Sequence, residues 1–405
     1  MSEWKSCLLG SIAEVQTGPF GSQLKNEQYI TGGTPVITVE HINAFRIQNI
    51  DYPSVTEADR QRLLKYSLEA GDIVFTRVGS VDLSAYVKPE NQGWLFSSRM
   101  LRVRVSSLEV DSLFLSYFFR QDKFREYILN IAVGATMPSI NTQILKDIPI
   151  SYPPPPEQKA IASVLSSLDD KIDLLHRQNK TLEAMAETLF RQWFIEEAKE
   201  DWEEADLTQL IGLQSGYAFK SKDFQESGNF GVIKIKNISG NIIDIEQTDF
   251  VSDEVGLATA QRFNVSSGQV LVAMTGAEIG KLGLVPKTTK KLLLNQRVGL
   301  LEPKFIGAQY LAYLHLKSEF GQDYIENSAT GSAQPNISGS LIEACPFPKV
   351  EDSILQQYGK QVQIYFVKVK ENLGQIQTLE QLRDTLLPKI MSGEVRIQYQ
   401  TEEVA

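Results

Sequence analysis

Residues Ile161 to Trp193 read IASVLSSLDDKIDLLHRQNKTLEAMAETLFRQW. The apolar positions fall on two interleaved seven-residue series. One runs Ile161, Leu168, Leu175, Leu182, Leu189; the other runs Leu165, Ile172, Asn179, Ala186, Trp193. A heptad pattern held this long predicts a long helix that buries one seam against a partner helix. The partner lies in the same chain. Adding 197 to each position gives Tyr358, Val362, Tyr365, Val369, Asn372, Ile376, Leu379, Arg383, Leu386 and Ile390, a second seam. The chain reads as two copies of one unit, each ending in a long helix.

The rest of the repeat follows outward from the helices. Trp4, Leu9, Ile12, Val15, Gln16, Thr17 and Gly18 match Trp202, Leu207, Leu210, Leu213, Gln214, Ser215 and Gly216. Each run leads into a glycine turn, Thr17–Lys25 and Ser215–Lys222. Such a turn, with hydroxyls, an aromatic and lysine, can approach a phosphate backbone, or can be a plain surface loop with one anchoring Phe. Strand-like runs follow at Pro35–Val39 and Gly231–Ile235, leading to Glu40-His-Ile-Asn43 and Lys236-Asn-Ile-Ser239. Ala70–Gly79 aligns with Ser267–Gly276 without a gap and reads as turn, buried strand, turn. Ser97-Ser-Arg99 stands against Asn295-Gln-Arg297. Aromatic-rich helical patterns follow at Phe114–Ile128 and Tyr310–Ile325, their apolar faces assigned to core. Gly134–Asn141 then matches Gly331–Ser338, a second recurring turn rich in Gly, Pro, hydroxyl and amide groups.

Composition narrows the classes. Two to four domains fit 405 residues, and 42% hydrophobic content can build cores. With no run of 18 apolar residues and no charged-then-apolar leader after Met1, the chain reads as soluble and not exported. Cys7 and Cys345 fall in different copies, which suggests a reducing, cytoplasmic setting without disulfides. His41, His176 and His315 form no cluster with cysteine that would suggest zinc. The net charge of −10 argues at first against nucleic acid. Much of it, however, sits in Glu196–Asp206, with seven acids and one base, and in the tail acids Glu402 and Glu403. The second globular segment is near neutral, with lysines in expected loops, so a local basic face is compatible with the sequence.

Boundaries follow from punctuation. Residues 1–152 form a first globular unit, 153–199 a helix, 200–350 a second unit, and 351–405 a second helix with a tail. Pro153 to Pro156 cannot continue a helix and mark the first boundary. Glu157 opens the first helix, Ser353 is a possible cap of the second, and Pro388 is expected to end or kink it. Antiparallel pairing closes such a chain, with the globular units at opposite ends and related by a pseudo-two-fold axis. If Asn179 and Asn372 share a layer, partners sum to 551. Leu182 then faces Val369, Trp193 lies near Tyr358, and Arg383 falls opposite Leu168, within reach of Asp169 or Asp173.

No catalytic signature is present: no phosphate loop, no dinucleotide fingerprint, no Asn-Pro-Pro-aromatic tetrapeptide, no metal or nucleophile arrangement. The two copies agree in framework and differ in loops: Pro19/Tyr217, His41/Asn237, Arg77/Met274, Met137/Gln334. One scaffold with different loops suits the reading of two different sites, as on duplex DNA. The candidate contacts are Gly18, Ser22, Lys25, His41, Asn43, Arg77, Ser80 and Arg99 in the first unit. In the second they are Tyr217, Lys220, Lys222, Lys236, Asn237, Thr275, Lys281 and Arg297. For each the plain alternative is solvent exposure or a structural cap.

Taken in order and twice, these pieces resemble the specificity subunit of a Type I restriction-modification system. The resemblance rests on Gly216 to Phe219, Gly71 to Val74, Asn295 to Arg297, the Pro153, Pro154, Gln158 entry into a helix, Thr181-Leu-Glu and Thr378-Leu-Glu, and Leu386 to Gly393. The first copy departs in its shorter Gly18-Pro-Phe20 turn; the second departs at Gln269 and lacks the proline run. The resemblance implies an α+β fold: two α/β target recognition domains separated by two long antiparallel coiled-coil helices. Each domain would read half of a split DNA site, with the helices as a ruler. The chain would be non-catalytic. Two methyltransferase subunits would supply S-adenosylmethionine chemistry, and restriction subunits would use ATP and Mg. A specificity subunit of a Type II system that cuts on both sides of its site, and a coiled-coil scaffold without DNA binding, are the alternatives.

Overall fold

A computed structural model of the chain describes residues 4–397 except 49, 135, 200, 201, 332 and 333. Glu402 and Glu403 of the tail, Glu200 and Asp201 of the acidic run, and Ala135, Ser332 and Ala333 of the proline turns lie outside the described residues. The chain divides into two compact units, Met1–Asp170 with Gln381–Ala405, and Lys171–Glu380. Compactness therefore cuts through both long helices, not at their ends. The reason is packing: Ile161, Ala162, Leu165, Leu387, Ile390 and Met391 belong to the first unit's core, while Ile172, Leu175, Val362 and Val369 belong to the second's.

The first long helix is Pro155–Arg191 and the second Asp352–Met391. At 1.5 Å per residue each is roughly 55–60 Å long. The first runs on as a wider π-type turn over Gln192–Glu196. Pro388 does not end the second, which runs on to Met391. Gly393, at φ 74°, makes the stop with its N–H on Ile390 O at 3.1 Å.

Within the second unit the helices pair in the anticipated register. Buried Asn372 donates to buried Asn179 at 2.8 Å, and Trp193 stacks on Tyr358 at 4.1 Å between centroids and 2° between planes. Both pairs sum to 551, and Leu182, Leu189, Val362, Val369 and Ile376 share that core. Within the first unit Arg383 reaches Asp169 at 2.9 Å, one of the two carboxylates the register offered it.

Each globular part is built on the same sheet. In the first unit strand Met100–Val105 lies antiparallel between Ala13–Thr17 and Ile73–Thr76, with Ser84–Tyr86 outside. In the second, Val298–Pro303 lies between Ile211–Ser215 and Val270–Ala273, with Leu282–Leu284 next. A smaller sheet stacks the repeat's other strands; Val36–Ile37 runs parallel to Leu95–Phe96, as Phe230–Ile233 does to Lys291–Leu294. The alternating apolar residues of these strands fill the cores. Gly71 (φ 97°) and Gly268 (φ 84°) precede strands Ile73–Thr76 and Val270–Ala273, a left-handed turn that a side chain would strain. The two proline turns end in helix caps: Asn141 accepts from Ile144 N at 2.9 Å, and Ser338 from Leu341 N at 3.2 Å. Gln158 is fully buried. It accepts from Asp111 N and donates to Glu109 O and Pro153 O at 2.7–2.8 Å, tying the first helix's start to its domain. Among the described residues no helix is long and apolar enough to cross a membrane, and no cluster of His, Cys, Asp and Glu could hold a metal ion.

Candidate nucleic-acid interface

At one end of each main sheet, four segments far apart in sequence are joined by one set of backbone hydrogen bonds. In the first unit Gly18 N–H bonds Met100 O at 3.3 Å and Arg77 N–H bonds Arg99 O at 2.8 Å. Gly79 N–H bonds Pro138 O at 2.9 Å, and Ile140 N–H bonds Arg77 O at 3.0 Å. The second unit repeats all four. Gly216 bonds Val298 O, Met274 bonds Arg297 O, Gly276 bonds Pro335 O and Ile337 bonds Met274 O, at 2.8–3.2 Å. The glycine turn, the strand-end loop, the segment ending in Arg99 or Arg297 and the proline turn therefore meet in both copies.

What these frames present differs. Arg77 is half-buried; its guanidinium donates to Thr17 Oγ1 at 3.3 Å and Ser98 O at 3.2 Å and lies 5.6 Å above the Phe20 ring. Phe20 is 52% exposed, so it lines this surface and does not anchor the loop. Arg77 Nε and Ser97 Oγ are buried there without a partner. Arg99, Ser80, Ser22 and Lys25 are exposed. In the second unit Met274 fills the place of Arg77, buried with its sulfur 3.8 Å from Ser215 Oγ. Tyr217 stands 41% exposed, edge-on to Phe219 and Phe263. Arg297, Lys220 and Lys222 are exposed. Among the described residues none of Lys25, Arg99, Lys220, Lys222 and Arg297 is in an ion pair.

Several anticipated contacts are structural instead. Gly18 is buried: a Cβ there would strike the carbonyl oxygen of Ser97, and one at Gly216 those of Leu294 and Asn295. Both are glycine because two backbones touch. His41 is buried; Nδ1 accepts from Thr38 N–H at 3.0 Å, Nε2 faces Asp51 O at 3.2 Å, and the ring stacks on Tyr52. Asn237 is buried too; Oδ1 accepts from Lys234 N–H at 2.9 Å and Nδ2 donates to Asp244 O and Gln247 O at 3.0–3.1 Å. The two side chains do one job, accepting the N–H three residues back and bracing a hairpin. Neither has a free edge for a base. Thr275 Oγ1 is buried and without a partner. Lys236 pairs with Asp249 at 2.6 Å, which Lys234 shares, and Lys281 pairs with Glu278, so both carry less free charge than their loops suggested. Asn43 is exposed on its hairpin, its carbonyl taking Gln48 Nε2 at 2.8 Å.

Exposed arginines and lysines around a rigid backbone frame suit an anionic, edge-bearing ligand. Lysines meet phosphates as point charges, and arginines meet phosphates or guanine edges in a two-pronged fashion.

The profile of the Type I restriction modification DNA specificity domain matches residues 1–184 and 199–373, and the chain belongs to that family. It is 26% identical over 426 residues to the Type I restriction enzyme MjaIX specificity subunit of Methanocaldococcus jannaschii, covering 98% of this chain and 94% of that one. It is 21% identical to the HindI specificity subunit of Haemophilus influenzae, covering 98% and 100%. The fold resembles the crystal structure of the Type I restriction-modification system S subunit from M. genitalium, with a TM-score of 0.64, 18% identity, and 96% of each chain covered.

Proposed function

We propose that this chain is the non-catalytic specificity subunit of a restriction-modification enzyme, reading a DNA site split into two unequal halves. The observation that supports it most is the duplicated sheet-end frame presenting Phe20, Arg77 and Arg99 in one copy and Tyr217, Met274 and Arg297 in the other. One framework with two side-chain sets yields two recognition sequences. Arg99 and Arg297 are the strongest candidates for base edges, and Lys25, Lys220 and Lys222 for phosphates. The long helices set the number of base pairs between the halves. Two modification subunits docked on this chain would bring S-adenosylmethionine, and restriction subunits would bring ATP and Mg.

The test is methylation mapping of DNA from cells with and without this chain. A split methylated motif that disappears with the chain is the expected result. Loss of no motif would overturn the proposal. In the same assay Arg99→Ala should relax only one half of the motif, and Arg297→Ala only the other.

A further inference from the structure

The first unit carries a buried ion cluster that DNA contact does not use. Asp169, on the first long helix and 7% exposed, accepts from Arg120 Nη1 at 2.6 Å, Tyr117 OH at 2.7 Å, Arg383 Nη1 at 2.9 Å and Arg46 Nη2 at 3.3 Å. Arg383 belongs to the second long helix. Tyr117 and Arg120 lie in and just after the short helix Ser112–Phe118. Arg46 belongs to the hairpin Ile42–Asn43/Arg46–Ile47 that carries Asn43. One carboxylate thus joins two long helices, a domain helix and a hairpin.

The hairpin that carries Arg46 turns on two residues ill-suited to its turn. Ala44 (φ 47°) and Phe45 (φ 59°) both adopt left-handed backbone, and Phe45 is covered by Arg120 at 5.7 Å and Arg125 at 5.5 Å. Non-glycine residues hold such a conformation only where their surroundings impose it. The second copy turns the same hairpin with Gly240 and Asn241, residues at ease there. The repeat position of Asp169 is Phe366, which stacks on Tyr310 at 4.5 Å and edge-on to Tyr313 at 5.4 Å. The same helical position meets a domain helix in both copies, by charge in the first and by rings in the second.

We propose that Asp169 is a positioning residue: it fixes how the first reading unit is held on the helices and thereby keeps the DNA spacer to a single length. The proposal rests on the split-site reading above. Without the negative charge, three guanidiniums face one another across the place of the lost carboxylate, and the exposed Asp384, on Arg383 Nε at 2.8 Å, does not stand between them. The hairpin, the domain helix and the second long helix then repel at their common point. The reading loops keep their own backbone frame, so the bases read should not change.

The experiment selects duplexes from a random-sequence DNA pool with the full-length chain bound to its modification subunits. The wild type should return a split motif with one gap. Asp169→Asn should return the same two half-sites, with gaps one base pair longer or shorter enriched about tenfold or more. Asp169→Glu, which keeps the charge, should restore the single gap. If Asp169→Asn fails to fold, Arg46→Gln removes the hairpin's arm and leaves Asp169 with Arg120 and Arg383, and should broaden the gap in smaller measure. A single gap retained in a folded variant overturns the proposal. So does weaker binding with an unchanged gap distribution, the mark of a merely structural role, or a change in the bases of either half-site. A wild type that selects no split motif overturns the underlying reading and this proposal with it.

Discussion

His315 shows what burial does to a titratable group in this chain. It lies in the second unit's core, and burial outweighs its bond to Pro346 O at 2.8 Å to hold its pKa at about 4. The unfolded imidazole takes a proton near 6.5, so between about 6.5 and 4 the unfolded chain binds more protons. Stability from this residue is present above pH 6.5 and is lost as pH falls towards 4, by up to about 3 kcal/mol. Denaturant unfolding of wild type and His315→Gln at pH 7.5 and 5 should show the difference shrinking at pH 5; an unchanged difference would reject the assignment. Asp169 moves the other way: burial works against its charge, but Arg120, Tyr117 and Arg383 prevail and hold the carboxyl at about 2. Its contribution survives to lower pH than an ordinary aspartate's. Gly216 makes a third case. Gly216→Ala places a methyl group against two carbonyl oxygens and should cost about 1–3 kcal/mol, read as a lowered midpoint in urea.

At the scale of elements, the helix pair is held by apolar layers and aligned by one amide pair. Asn372 donates to Asn179, while Asn179 Nδ2 and Asn372 Oδ1 are buried without partners. Asn372→Leu alone leaves the Asn179 amide unpaired and should destabilise by about 1–3 kcal/mol. Leu at both positions should recover or exceed wild-type stability and loosen the register. Disulfide trapping of Leu182→Cys with Val369→Cys would check this: efficient crosslinking in the Asn background, less in the Leu–Leu background. This layer was legible in sequence because a heptad series and a repeat at 197 both survive substitution of individual residues. The glycine turns and the central strands were legible for the same reason. His41 and Asn237 were not, since a side chain that caps its own backbone looks, in sequence, like any exposed polar residue. Nor was the Asp169 cluster: only Arg383 was visible through the register. Arg120 and Arg46 lie 49 and 123 residues away, and nothing periodic links them to it. Gln158 was recognised as part of a motif, but its three hydrogen bonds needed coordinates.

At the scale of the whole molecule, the reading makes the helices a measure and the sheet ends a text. Seven residues inserted into each long helix, in register, should lengthen the spacer and leave both half-site sequences unchanged, as methylation mapping would show. Altered half-sites with an unchanged spacer would contradict the ruler. Lys222→Ala should weaken binding to all duplexes and flatten the dependence of affinity on salt by about one unit of slope. An unchanged slope would remove that lysine from the phosphate contacts. A repeated sequence also invites crossover between its own halves. The residues at 169 and 366 bear on the outcome, because one is an aspartate ringed by arginines and the other a phenylalanine stacked on tyrosines. A recombinant that moves a globular part without its matching helix residue would set arginine against phenylalanine, or tyrosine against aspartate. New specificities should therefore arise most readily from exchanges between like halves of related genes, with the crossover placed to carry the helix position along with the loops.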